Sequence, residues 1–229
     1  AGLYGNTACA VDQAEVIHGD VTFTYNGDHT LITASDGSII SFLSFNILPW
    51  ETVQFLQPDQ LSRVLGRITG PEPTLIEGNL LANGIVYLVN PAGITFAEGS
   101  VLDVGGIYAA AGSISDDDFL NGHNLFTGLT GSVQNYGAIQ GGQVHLLGQT
   151  VANHGAILAP QGVVSMLAGE EILIYALGDR VMATIDGSEL GGPDVPPYGT
   201  TPIDQFGDPA VENTGLVHSA QGQVMLYAG

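Results

Sequence analysis

Among the side chains that could do chemistry, the densest group is the run Asp116, Asp117 and Asp118. Carboxylate oxygens are ligands for calcium, and pairs of carboxylates that face one cleft cleave polysaccharides. Neighbouring residues of an extended segment point to opposite faces, so three carboxylates in a row are more typical of an exposed turn than of a cleft. The run is therefore a candidate for weak calcium binding only, and the sequence predicts no catalytic site.

The other candidate groups are too few and too scattered to predict a metal or catalytic centre. The histidines are His18, His29, His123, His145, His154 and His218. No two of them have the H-x-x-x-H spacing, or a comparable spacing, of zinc ligands. The chain has no lysine and so no phosphate-binding P-loop, and its arginines are poorly placed to act as a base. We predict that the chain needs no metal and no cofactor and is not an enzyme.

The charge balance excludes several classes of partner. Against 23 acidic residues there are only 3 basic ones, and the net charge is −20. Nucleic acids and anionic membrane surfaces bind through clustered cations, which this chain lacks. No apolar stretch reaches the length of about 18 residues that predicts a transmembrane helix. Cys9 is the single cysteine, which excludes an intrachain disulfide.

A phrase of the form V-x-N-x-G-x-[IV] recurs along the chain and predicts the fold. It places Asn135, Asn153 and Asn213 at equivalent positions, the first two 18 residues apart and the last two 60 apart. The shorter interval suits one coil of a β-solenoid, in which three short strands are joined by tight bends. Asn and Gly suit such bends, and stacked Asn side chains can hydrogen-bond from coil to coil. The alternative, that N-x-G marks ordinary β-turns, stays open at this point.

The apolar runs and turn residues divide the chain into one domain with two segments that leave the coils. The predicted division is a flexible start at residues 1–14, cap strands at 15–58, first coils at 59–112, an excursion at 113–130, coils at 131–169, a hairpin and loop excursion at 170–210 and a last coil at 211–229. A cap is expected because a solenoid otherwise presents an open edge and an open core at its first coil. Residues 222–229 parallel residues 162–169, so we expect the chain to be part of a longer solenoid.

An ordered series of motifs links the chain to a known family. These are, in order, Ser44-Phe45-Asn46-Ile47, the segment from Val53 to Pro58, the segment from Arg63 to Gly70, the segment from Gly78 to Val86, and Asn90-Pro91-Ala92-Gly93-Ile94. Together they resemble the N-terminal secretion domain of filamentous haemagglutinin-type exoproteins, over roughly residues 15–229. The resemblance implies an all-β fold, a right-handed parallel β-helix with an N-terminal β cap and extra-helical hairpin and loop excursions. It also implies two-partner secretion, in which an outer-membrane β-barrel transporter with periplasmic receptor domains recognises the domain.

Two short motifs are associated with secretion in this family, of the forms N-P-N-L and N-P-N-G-I. The second corresponds to Asn90, Pro91, Gly93 and Ile94, with Ala92 in place of the central Asn. The first is absent, and its nearest counterpart is Gln57-Pro58-Asp59-Gln60. Proline and glycine suit a turn and isoleucine suits the core. The residues therefore leave open whether the second motif shapes the fold or contacts the transporter.

We predict a secretion-targeting and folding-nucleating domain, the N-terminal fragment of a large exported adhesin or haemagglutinin-like protein. The resemblance implies transit through the periplasm of a Gram-negative-type envelope to the medium or the cell surface, with host glycans or proteins bound by downstream regions. One alternative is a carbohydrate-binding adhesive module, with Trp50, Tyr87, Phe96 and Tyr108 as candidate platform residues. A polysaccharide lyase or hydrolase is the other alternative.

Overall fold

The chain is described by a computed structural model over residues 11–177, 180–186, 188–189 and 210–228. Within these ranges, the backbone alone is described at residues 11–12 and 188–189. Our predictions for residues 1–10, including Cys9, and for the loop over residues 190–209 lie outside this part of the chain.

The described chain is built almost wholly from strands. In chain order the first are β1 (Val11–Asp12), β2 (Glu15–His18), β3 (Val21–Asn26), β4 (His29–Ala34), β5 (Ser38–Phe42), β6 (Ser44–Phe45), β7 (Thr52–Leu56), β8 (Arg63–Ile68), β9 (Thr74–Ile76), β10 (Asn79–Val89), β11 (Ile94–Phe96) and β12 (Val101–Ala110). After the short helix α1 (Asp116–Asn121) follow β13 (Asn124–Thr127), β14 (Ser132–Asn135), β15 (Ala138–Gly148), β16 (Thr150–Asn153), β17 (Ala156–Leu158), β18 (Val163–Ala168), β19 (Glu171–Leu177), β20 (Arg180–Ile185), β21 (Ser188–Glu189), β22 (Val211–Asn213), β23 (Leu216–His218) and β24 (Gln223–Ala228).

The strands wind into a parallel β-helix with three faces. One face consists of β9, β11, β14, β16 and β22, each paired in parallel with the strand of the next coil. The long strands β10, β12 and β15 run across the other two faces, and β10 shifts register between Ala82 and Ile85, where it passes from one face to the other. Later coils continue these faces with β17 and β23, and with β18 and β24. The predicted fold class, a right-handed parallel β-helix, is confirmed.

An apolar core fills the interior of the helix. Alternate residues of each strand point inward, so register partners on successive coils, such as Val86 and Ile107, are both fully buried. Phe42, Phe45 and Phe55 fill the first coils, and the rings of Phe42 and Phe45 meet edge to face with centroids 5.2 Å apart. Side chains of one coil therefore pack directly on those of the next along the whole helix.

The parallel coiling begins earlier in the chain than the sequence division placed it. Strands β2 and β3 pair antiparallel with β5 and β4, as expected of a cap. Strands β4 and β5, however, already pair in parallel with β7 and β8, so coils begin at His29 and not near residue 59. The difference has a physical reason, because alternating apolar residues suit antiparallel and parallel pairing alike.

The acidic run at residues 116–118 forms the start of a helix, so our expectation of a turn was wrong. Ser115 caps α1, because its Oγ accepts a hydrogen bond from the backbone N–H of Asp118 at 3.0 Å. All three aspartates lie in the first turn, where carboxylates are favoured by the partial positive charge of the helix N-terminus. Gly122, with φ of 73°, ends the helix in the left-handed conformation.

The two excursions, separated by some forty residues in our sequence division, form one antiparallel sheet. Strand β13 of the first excursion pairs with β19 of the second, and β19 pairs with β20 and β20 with β21. Leu177 pairs with Arg180, so the turn of the predicted hairpin falls on residues 178–179, outside the described residues. Nothing in the sequence indicated that the first excursion supplies the neighbouring strand of this hairpin.

A second apolar core lies between this sheet and the outer face of the helix. Tyr87, Tyr108 and His145 stack on neighbouring strands, with ring centroids 4.3 Å apart at each step. Phe119 and Phe126 cover the tyrosines from the excursion side. Burial raises the pKa of Tyr87 to about 12 and also raises that of Tyr108, so both rings stay uncharged.

The imidazole ring of His145 lies in this second core, and its two nitrogen atoms have no hydrogen-bond partners among the described residues. The side chain is fully buried. Burial lowers the pKa of His145 to about 3, because the charged ring would be stripped of water. The folded domain therefore holds this histidine neutral at pH values where the unfolded chain protonates it.

We predict that His145 makes the domain sensitive to acid. Since the folded pKa lies below the unfolded value of 6.5, stability is lost as the pH falls through the window from 6.5 to about 3, by up to about 1.4 kcal/mol per pH unit. His145→Leu removes this dependence, whereas substitution of the exposed His218 leaves it in place. Urea unfolding between pH 7.5 and pH 4 checks it, and parallel pH profiles of H145L and wild type would contradict it.

Two of the chain's three cations hold the first excursion against the helix. The Arg67 guanidinium donates a hydrogen bond to the Ile114 carbonyl at 2.8 Å and forms an ion pair with Asp116 at 2.7 Å. Arg63 donates to the Phe119 carbonyl at 2.9 Å and lies over the Phe119 ring, 5.3 Å from its centroid. Both arginines lie on β8, so this single strand of the β-helix anchors α1.

We predict that Arg67→Ala lowers the free energy of unfolding by about 2 kcal/mol, because a charge-assisted hydrogen bond contributes about that much. The substitution leaves both the Ile114 carbonyl and the Asp116 carboxylate without their donor. Arg180→Ala is the matched control, since it removes the same charge from an exposed side chain and is expected to cost less than about 0.5 kcal/mol. Chemical denaturation measures both values. Equal losses would show that net charge, and not the contact with Asp116 and Ile114, is responsible.

Candidate functional site

The Asn90–Ile94 turn joins β10 to β11, and Asn90 organises it. The Asn90 side chain is fully buried. Its Nδ2 donates to the Glu72 carbonyl and to Thr74 Oγ1, both at 3.0 Å, while its Oδ1 accepts from the Ala92 N–H at 2.9 Å. One amide thus ties the turn to itself and to the previous coil. The sequence left open whether this motif shapes the fold or contacts the transporter, and the side chain of Asn90 shapes the fold.

The last two residues of the turn also serve the fold. Gly93 has φ of 114°, and its N–H donates to the Asn90 carbonyl at 3.0 Å. A side chain at this φ would be strained, so the position favours glycine. Ile94 is buried in the apolar core of the helix. Of the predicted motif residues, Asn90, Gly93 and Ile94 are therefore internal, and only Pro91 is exposed.

Pro91 and Ala92 line a groove on the surface. This recognition groove has a volume of about 560 Å³ and lies between the end of β8, the Asn90–Ile94 turn and the first residues of the excursion. Its lining includes Arg67, Thr69, Pro71, Pro91, Ala92 and Ser113. Ala92 is half-buried, and the turn uses only its backbone N–H. In this chain the turn therefore needs no hydrogen bond from the side chain at position 92.

The segment that replaces the N-P-N-L motif forms a second tight turn, between β7 and β8. Asp59 Oδ1 accepts hydrogen bonds from the N–H groups of Leu61 and Ser62 and from Ser62 Oγ, at 2.8–2.9 Å. The bond from the Ser62 hydroxyl, with these N–H groups, lowers the pKa of the Asp59 carboxyl. Gln57 is buried and donates to the Ser62 carbonyl at 2.6 Å. Leu61, which lies just outside the segment we singled out, is exposed on this turn.

The coil-turn asparagines form a ladder inside the helix. Asn135 Nδ2 donates to Asn153 Oδ1 at 2.7 Å, and Asn153 Nδ2 donates to Asn213 Oδ1 at 2.7 Å. Asn135 and Asn153 are fully buried, whereas Asn213 is exposed on the last described coil. The ladder joins residues 60 positions apart in sequence, because the second excursion leaves the helix and returns to the same bend.

We predict that Asn153→Ala lowers the free energy of unfolding by about 2–3 kcal/mol, because it leaves the buried Asn135 amide without its acceptor. Asn213→Ala is the control and is expected to cost about 1 kcal/mol, since Asn213 is itself exposed and its truncation opens Asn153 Nδ2 to water. Urea denaturation of both variants gives the comparison. A cost for Asn213→Ala equal to that for Asn153→Ala would contradict the ladder as a buried network.

The calcium candidates do not converge on one point. Asp116 pairs with Arg67, Asp118 accepts from Ser115 Oγ at 2.5 Å, and Asp117 is exposed on another side of α1. No group of three or more histidine, cysteine, aspartate or glutamate side chains in the described part of the chain could hold a metal ion. No helix among the same residues is long and apolar enough to cross a membrane.

The candidate carbohydrate platform is not assembled either. Tyr87 and Tyr108 are buried in the second core, and Phe96 is buried in the helix. Trp50 alone of the four is exposed. A sugar-stacking surface needs aromatic faces open to solvent, and these residues fill cores instead.

Comparison with known proteins agrees with the geometry. A family profile described as the TPS secretion domain matches residues 10–222. Two proteins of Haemophilus influenzae named heme/hemopexin-binding protein are similar, at 36% identity over 129 residues and 32% over 108. These matches cover 55% and 46% of this chain and only 14% and 12% of the relatives, so the chain spans a small part of their length.

A solved structure shares the fold. The crystal structure of the HMW1 secretion domain from Haemophilus influenzae matches with a TM-score of 0.71 and 32% identity, over 78% of this chain and 49% of that one. The family profile covers nearly the whole chain, and the predicted secretion-targeting role agrees with it. The chain belongs to the TPS secretion domain family and is a secretion-targeting domain of an exported protein.

Proposed function

We propose that the recognition groove is where the periplasmic receptor domains of an outer-membrane β-barrel transporter engage this domain. The observation that carries the proposal is that some residues of the Asn90–Ile94 turn are buried while others face the surface. Its buried residues fix the backbone, and Pro91 and Ala92 are left facing the groove. A rigid, partly apolar turn beside a concave surface suits protein recognition, because little entropy is lost when a partner binds it.

We further propose that the domain starts the folding of a large adhesin or haemagglutinin-like protein at the cell surface, without catalysis of its own. In a solenoid each coil contacts only its neighbours, so a folded coil offers a template to the next. The Asn153–Asn213 hydrogen bond supports this role, because it extends the ladder to an exposed coil whose edge strands β22, β23 and β24 have no further neighbour among the described residues. Adhesion itself would belong to other parts of the exported protein.

Substitution of Ala92 tests the groove while leaving the turn intact. Ala92→Trp is expected to fill the groove and reduce secretion about tenfold, a loss typical of a blocked contact. Ala92→Asn, which restores the family's residue, is expected to be secreted normally. The measurement is the share of precursor in the medium when each variant is produced together with its transporter in a Gram-negative host. Normal secretion of A92W, with unchanged thermal stability, would refute the groove as the contact.

A further inference from the structure

The four strands of the two excursions, β13, β19, β20 and β21, form a cover over the β-helix, which we call the excursion sheet. They pair with one another, and none of them pairs with a strand of the coils in the described part of the chain. The second core beneath the cover is likewise a cluster of its own, which shares no residue with the core inside the helix. Removing the cover would therefore leave the coils with their backbone hydrogen bonds and their interior intact.

Side-chain hydrogen bonds fasten the cover at its two ends. At one end the two arginines of β8 bind the first excursion, and the Tyr87 hydroxyl donates to Asn124 Oδ1 of β13 at 2.8 Å. At the other end the Gln223 amide of β24 holds β20. Its Oε1 accepts from the Val181 N–H at 3.2 Å, and its Nε2 donates to the Val181 carbonyl at 2.8 Å. Between these two ends lie the apolar side chains of the second core.

Two polar side chains weaken the middle of this contact. His145 on β15 and Ser165 on β18 are register partners on neighbouring coils, on the same side of their strands as the second-core residues Leu147 and Leu167. Both are fully buried, and neither imidazole nitrogen nor the Ser165 hydroxyl has a hydrogen-bond partner among the described residues. A buried polar group without a partner has lost its hydrogen bonds to water and regains them when water enters. The two side chains therefore favour lifting of the cover.

The surroundings of His145 offer no counter-ion to a proton on its ring. The titratable groups that pack in the second core from the coils are tyrosines, namely Tyr87, Tyr108 and Tyr227. The charged residues described on β19, on β20 and in the turn after them are exposed, namely Glu171, Arg180 and Asp186. The one buried carboxylate in the described ranges, that of Glu51, lies in the bend before β7. A protonated His145 under a closed cover would thus be a buried, unpaired charge.

We propose that the excursion sheet is an acid-sensitive cover, which lifts from the helix as one unit when the pH falls, while the coils stay folded. Lifting lets water reach His145, so the open form takes up a proton that the closed form excludes. The strands move together because β19 pairs with both β13 and β20. Lifting bares the outer apolar face of the coils, including the rings of Tyr87 and Tyr108. No transporter is needed for this change of shape, so it goes beyond the proposed function.

Hydrogen–deuterium exchange of the full 229-residue chain, followed by mass spectrometry, tests the proposal. Between pH 7.5 and pH 4.5, the protection factors of amides in β13, β19 and β20 are expected to fall by between about tenfold and about a hundredfold. The upper figure is that for one histidine two pH units below its unfolded pKa of 6.5. Protection in the coil strands β10, β12 and β15 is expected to stay unchanged.

Three variants identify the trigger and the moving unit. His145→Leu is expected to abolish the fall, because it removes the group that takes up the proton. His218→Leu is the matched control at an exposed histidine and is expected to show the wild-type fall. Gln223→Ala keeps the test open should H145L not fold. It removes the two hydrogen bonds to Val181, and at pH 7.5 it is expected to lower protection on the order of tenfold in β13 as well as in β19 and β20.

Each outcome supports or overturns the acid-sensitive cover. Equal loss of protection in coils and cover at pH 4.5 would mean that the whole domain unfolds, and it overturns the proposal. Unchanged protection of the cover at pH 4.5, or a wild-type fall in H145L, overturns it as well. Loss in β20 with β13 unchanged in the Gln223→Ala variant contradicts a cover that moves as one unit. A fall confined to β13, β19 and β20, and absent from H145L, supports it.

Discussion

Each coil of this domain stacks on the previous one in parallel register, and that stacking decides where each side chain points. Register partners such as Val86 and Ile107 share the interior, and Asn153 meets the asparagines of the coils on either side. A shift of one residue would turn every inward side chain outward, so the apolar core and the polar ladder enforce the same register. The close stacking also leaves little room at Gly105, where a Cβ atom would lie 2.7 Å from the Gly84 carbonyl oxygen of the previous coil.

The same stacking creates an outer apolar face that the helix alone cannot bury. Tyr87, Tyr108 and His145 stand on that face in successive coils, and the two excursions cover it. The cover is held by Arg63 and Arg67 in a chain that has only 3 basic residues. Two of the few positive charges are thus used in contacts within the molecule, and the surface as a whole is strongly acidic.

The turn that we propose for recognition is one that the fold itself needs. In the Asn90–Ile94 turn the buried amide and the core isoleucine fix the backbone, and the exposed proline comes with them. The Asp59 turn likewise fixes the backbone and leaves Leu61 in water. Surface features on such turns are rigid without further cost, because the hydrogen bonds that shape them also hold successive coils together.

The sequence by itself determined the β-helix, since the recurring V-x-N-x-G phrase has the period of one coil, and the ordered motifs determined the family. It also indicated the hairpin of the second excursion, because β-prone runs flanking a Gly-Asp pair are local signals. Only the tertiary structure decided that the parallel coils begin at His29, that β13 joins β19, that Asp116 to Asp118 form the first turn of a helix whose Asp116 pairs with Arg67, and that Pro91 is the exposed residue of its turn. The reason is that alternation and turn signals act over a few residues, whereas strand partners and exposure depend on segments far apart in the chain.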